Sequence, residues 1–165
     1  MRRLVIAATA VLVLLVANIG IYRNEQVLAS GRTVLLELAP VDPRSLMQGD
    51  YMALRFRVAD AVRDLTMDDW HDGRAIIATD ANGVGTLRRV DDGAPLAADE
   101  VAIRFRVRGG PVKFATNAFF FQEGHAEHYA NARFGEFRVS PDGTALLVAM
   151  RGEKLEVLGP SLGTE

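Results

Sequence analysis

Val101-Ala-Ile-Arg-Phe-Arg-Val107 alternates between apolar and charged residues along most of its length. Val101, Ile103, Phe105 and Val107 share one face and Arg104 and Arg106 the other, the period of two expected of a strand with one side buried. The phrase returns as Ala53-Leu-Arg-Phe-Arg-Val58, and Glu136-Phe-Arg-Val139 repeats its ending. In residues 51–58, Leu54, Phe56 and Val58 take the inner face while Arg55 and Arg57 point outward. The flanks of the three segments differ, so they share an environment rather than an origin: apolar inside, arginine outside.

Working outward, the same period continues. Residues 33–38 are β-prone. Residues 74–79 and 84–90 read as strands joined across Asp80-Ala81-Asn82-Gly83, whose Asn-Gly pair suits a tight hairpin turn. Residues 134–139 and 144–150 flank Ser140-Pro141-Asp142-Gly143, a second hairpin signal. Residues 119–121 make a short apolar strand and 153–158 a final one. Residues 59–70 read as a short helix, with Trp70 inward at its end. Pro40, Pro43 and Gly49 break regular structure over 40–50. The expected fold is therefore mainly β: an antiparallel β-sandwich or partly open barrel of seven to nine strands, with one or two short helices.

The N-terminus differs. Residues 4–22 are nineteen positions without a formal charge, about 29 Å as a helix against a hydrocarbon core of roughly 30 Å. Arg2 and Arg3 precede the run and only Arg23 follows it before Glu25, which favours a cytoplasmic N-terminus and an exported domain. A cleavable signal peptide is the competing reading, because Val27-Leu28-Ala29 before Ser30 has a cleavage-like pattern. The apolar run exceeds the usual signal core of about 7–15 residues, which favours a retained anchor. The expected division is a cytoplasmic start and anchor over 1–23, a linker or helix extension over 24–32, a β-domain over 33–158 and a polar tail over 159–165.

Of 165 residues, 49% are hydrophobic and the net charge is −2. Without Arg2, Arg3 and Arg23, sixteen basic residues face twenty-one acidic ones, a formal charge of −5. No nucleic-acid partner is expected, since that needs a dense basic surface. With no cysteine, disulfides, thiol nucleophiles and cysteine-type zinc sites are excluded.

Gly49-Asp50-Tyr51-Met52-Ala53-Leu54-Arg55-Phe56 resembles the signature of the GDYXXLXY family of bacterial proteins, with Phe56 where the last tyrosine is usual. Its lead-in, Pro40 to Gln48, is similar too. Phe119-Phe-Phe-Gln-Glu-Gly124 resembles the family's second signature, with Gln122 in place of proline before Glu123 and Gly124. The resemblance implies a membrane-anchored extracytoplasmic domain without an assigned activity, whose expected partners are the inner membrane and a polytopic membrane protein. Physically the motif reads as architecture. Gly49 permits a tight turn, Asp50 accepts backbone N–H groups across it, Tyr51 starts a strand, and Leu54 and Phe56 fill the core.

No catalytic constellation stands out. The order of glycines and prolines is distantly similar to the type I signal peptidase skeleton, which uses a serine activated by a neutral lysine. Val41 stands where that serine would be, and the strand that should carry the lysine offers Arg104 and Arg106, which cannot deprotonate. Ser45 with Lys113 is a displaced pair with nothing to join it. Glu123, His125, Glu127 and His128 crowd one segment, and His71 sits beside Asp68, Asp69 and Asp72. Neither set has a recognised zinc or calcium spacing, so Glu123, His125 and His128 are weak metal candidates and no cofactor is expected. The arginines, Arg55, Arg57, Arg104 and Arg106 foremost with Arg108 and Arg138, are a candidate docking face if their strands adjoin. The alternative is a face neutralised by neighbouring Asp and Glu. The functional expectation is a non-catalytic accessory module, with an exported hydrolase or ligand- or metal-binding module using Glu123, His125 and His128 as the alternative.

Overall fold

The computed structural model describes residues 2–39, 47–48, 51–66 and 70–159. Gly49 and Asp50 of the family motif, Val41, Ser45, Asp68 and Asp69 lie outside them. Helix α1 runs unbroken from Arg2–Ser30, exposed throughout apart from Val27. It is long and apolar enough to cross a membrane, and it has no polar face to lay on a core.

The rest is mainly β, in eleven described strands: β1 (Arg32–Glu37), β2 (Met47–Gln48), β3 (Tyr51–Ala53), β4 (Trp70–Thr79), β5 (Val84–Val90), β6 (Glu100–Arg108), β7 (Lys113–Phe114), β8 (Ala118–Phe120), β9 (Phe134–Val139), β10 (Ala145–Arg151) and β11 (Val157–Leu158). The excess over nine comes from β2 and β7, two-residue strands too short to leave a periodic signal. Eight strands form one sheet in the order β11-β10-β9-β1-β5-β4-β6-β7, and β2-β3-β8 form a smaller one. All pairings are antiparallel except β1 with β5. The larger sheet curls until the β9–β10 turn meets β6, where Arg104 N–H donates to the Gly143 carbonyl at 2.9 Å.

Inside the curl, Val34 and Leu36 meet Ile77, Ile103, Phe105, Val107, Phe137 and Met150, all essentially solvent-free. Each such side chain contributes about 1.5–3 kcal/mol on leaving water. β6 follows the expected alternation, with Val101, Ile103, Phe105 and Val107 buried and Arg104 and Arg106 exposed.

Two expectations need correction. Residues 51–58 are not one strand: β3 ends at Ala53, Phe56 makes a lone bridge to Leu38, and helix α2 occupies Arg57–Leu65. Leu54, Phe56 and Val58 are nonetheless buried. In α2 the buried side chains are Val58, Ala59 and Val62, a helical spacing that turns them toward β1 and β5. The expected helix over 59–70 accordingly starts two residues earlier and ends at Leu65. Trp70 opens β4, whose nine-pair ladder with β6, Trp70↔Arg108 to Ala78↔Glu100, outweighs local helical preference. Of the two readings of 24–32, the helix extension is the one found, since α1 continues to Ser30 and β1 begins at Arg32.

Candidate functional site

The second family signature lies at the rim of a groove of about 380 Å³, built by three distant stretches of chain. Phe119, Phe120 and Phe121 come from β8 and its end, Val148 and Ala149 from β10, and Val157 and Leu158 from β11. His125 and Tyr129 close one side. Tyr129 is buried and organises the aromatic rings, Phe119 edge-on at 5.0 Å and Phe121 stacked at 5.4 Å between centroids. Phe120 stands at the groove's edge, 74% exposed, with the ring of Tyr51 of the first signature 5.8 Å away. Met52 and Phe119 are register partners, so β3 and β8 bring both signatures onto one small sheet. Leu54 and Phe56 lie in the core, where Phe56 meets Phe137 edge-on at 5.3 Å.

After Phe121 the chain turns through Gly124, whose φ of 82° explains a glycine in the signature. A 3-10 turn over Ala126–Tyr129 follows. Residues three apart eclipse in such a turn, and the His125 and His128 rings come within 5.1 Å of each other. Glu123 is exposed. Among the described residues, no group of three or more His, Asp or Glu is placed to hold a metal ion.

The arginines are spread over several elements. Arg55 follows β3 and Arg57 opens α2, while Arg104 and Arg106 lie on β6 between β4 and β7. Most are engaged by acids: Arg55 with Asp60 at 2.8 Å, Arg57 with Glu37 at 3.2 Å, Arg104 with Asp142 at 3.1 Å and Arg108 with Asp72 at 2.7 Å. Arg106 stands in register between Asp72 and Lys113. Arg138 instead donates to the Gly31 carbonyl at 3.2 Å. The Arg108 hydrogen bond holds the Asp72 carboxyl below its ordinary range, and the Ser140 and Thr144 hydroxyls do the same for Asp142. His71 lies against Phe105, 5.8 Å between ring centroids.

Two partly buried ion pairs had no sequence signal, because their partners lie on different strands or across a loop. Glu136 on β9 accepts from Arg151 on β10 at 2.6 Å. Glu100 accepts from Arg89 at 2.7 Å and from the Ala97 N–H, and that backbone bond is the main reason its carboxyl titrates low. β10 was legible as a strand, while of the expected final strand over 153–158 only Val157–Leu158 pairs, the residues before it forming a turn; nothing in sequence tied either to the Phe119–Phe121 segment.

The model of the GDYXXLXY protein family matches residues 13–150, spanning the larger part of α1 and nearly all of the β-domain. No curated protein matches the chain, and no solved structure does.

Proposed function

The chain belongs to the GDYXXLXY family, and we propose that it serves as a non-catalytic, membrane-tethered accessory module for a polytopic membrane protein. In this reading α1 is a retained single span of a bacterial inner membrane, with the N-terminus cytoplasmic and the β-domain extracytoplasmic. The groove beside Phe120 takes an apolar, uncharged exported loop of the partner.

The observation that carries this reading is Phe120, a large aromatic left 74% exposed on an edge strand at a family signature. Isolated exposed apolar residues are ordinary, but one beside an apolar groove marks an interaction surface. Two features support a protein loop as the occupant. The groove lining contains no Asp, Glu, Lys or Arg, which complements a neutral segment. Among the described residues, β10 has no strand partner on its outer side over 145–149, and β8 pairs only with β3. Both open edges present backbone groups to an extended chain. Lipid headgroups fit less well, because most of the arginines already have acidic partners.

The test is co-purification of the tagged full-length chain from detergent-solubilised membranes. One integral membrane protein should accompany the wild type and Thr86→Asp, an exposed site on β5, and be lost with Phe120→Asp. Equal recovery with Phe120→Asp, or no membrane protein with the wild type, overturns the proposal. The proximity of His128 to His125, which lines the groove, favours a second reading, a metal-binding module. Stoichiometric zinc in the purified chain, abolished by changing both histidines to alanine, would select it.

A further inference from the structure

We propose that α1 and the β-domain form one rigid body, joined at Gly31 without a flexible linker, so that the rotation of the anchor in the membrane sets the direction in which the domain faces. The joint is short. α1 ends at Ser30 and β1 begins at Arg32, leaving Gly31 alone between them. A single connecting residue supplies only two soft dihedrals, and both neighbours are held by regular structure.

Contacts fix those two dihedrals. Gly31 N–H donates to the Val27 carbonyl at 2.9 Å, closing the last helical turn, and Ser30 Oγ donates to the Gln26 carbonyl at 2.8 Å. A Cβ on Gly31 would collide with the Val27 carbonyl oxygen and crowd the Val139 nitrogen at 3.1 Å. Glycine is therefore required here for close approach, and helix and sheet are in van der Waals contact on either side of it. Val27 is the one buried residue of α1, and the helix packs there on β9 and β10.

Two arginines grip the joint from opposite sides. Arg138 of β9 donates to the Gly31 carbonyl. Arg32 reaches the other way, donating through Nη1 to the carbonyls of Ala98 and Glu100 at 2.8 and 3.2 Å and through Nη2 to Thr79 Oγ1 at 2.8 Å. Its fork ties the first residue of β1 to the end of β4 and the start of β6. Residues 23–30 then act as a stiff stalk of about 12 Å between the apolar span and the domain. The inference rests on the reading of α1 as a retained span and holds whichever partner the groove takes.

Because the chain has no cysteine, paired spin labels can be placed without background. The experiment uses the full-length chain in lipid nanodiscs with Ala17→Cys and Thr86→Cys labelled, and reads the inter-label distance distribution by pulsed electron resonance. One narrow distribution is expected. Inserting six Gly/Ser residues between Ser30 and Gly31 should broaden it at least twofold, and Gly31→Val should shift or broaden it while the thermal midpoint of the domain holds. If Gly31→Val also unfolds the domain, the insertion decides. A parent distribution as broad as that of the insertion variant overturns the proposal.

Discussion

Phe56→Ala separates a structural role for the family motif from a binding role. Phe56 is 2% exposed, bridges Leu38, and meets Phe137 edge-on at 5.3 Å. A Cβ added at Gly135 would come within 3.0 Å of its ring, so the cavity walls are already close-packed. Removing a buried Phe side chain costs about 3–5 kcal/mol from lost transfer energy and residual cavity, and the lost edge-on contact belongs to the same removal. For a domain of this size, each kcal/mol moves the midpoint by roughly 3–5 °C, so a fall on the order of 10–25 °C is expected. The assay is thermal unfolding of the detergent-solubilised full chain followed by circular dichroism in the β region. Phe120→Ala is the control, and as an exposed residue it should stay within about 0.5 kcal/mol of the parent. Equal, small effects at Phe56 and Phe120 would refute the architectural reading of the motif.

Other consequences follow from single contacts. Arg151→Met should destabilise by about 3 kcal/mol, because it leaves the Glu136 carboxylate largely buried without its cation. Glu136→Gln in the same chain should restore part of the loss, as a double-mutant cycle by urea denaturation would measure. Gly124→Val should cost about 1–2 kcal/mol, because a branched side chain resists the φ of 82° found there; an unchanged urea midpoint would contradict this. Acid should destabilise the domain: Asp72, Asp91, Asp92, Glu100 and Asp142 are all held below their ordinary values of 3.8 and 4.5. Their folded pKa lies below the unfolded one, so their stabilisation is fully present above about pH 5 and is lost as pH falls through the folded values. The thermal midpoint should therefore be flat from neutrality to about pH 5 and decline below it, and a midpoint that rises on acidification would contradict the assignment.

The hexapeptides Ala53–Val58 and Ala102–Val107 show where sequence reading succeeds and where it stops. Their patterns are nearly the same, and both bury the same alternate residues. One is a central strand because β4 and β7 flank it on both sides. The other leaves its sheet after Ala53 and enters α2, where Val58, Ala59 and Val62 offer a helical face. Alternation was thus a faithful guide to burial and an unfaithful one to backbone conformation. The hairpin turns at Asp80–Gly83 and Ser140–Gly143 were legible because their hydrogen bonds are local, with Asp80 and Asp142 carboxylates accepting from N–H groups a few residues on. The stalk was legible in principle, since no helix breaker occurs between Tyr22 and Gly31. The groove was not, because it forms only when β8 meets β10 and β11, thirty residues away.

The exported, single-span topology is tested most directly by cysteine accessibility in intact cells. With Thr86→Cys as the sole thiol, a membrane-impermeant maleimide should label the full-length chain from outside the inner membrane. That chain should stay in the membrane fraction after an alkaline wash. An intact chain that is recovered among cytosolic proteins, or is labelled only after the inner membrane is broken, would contradict the account.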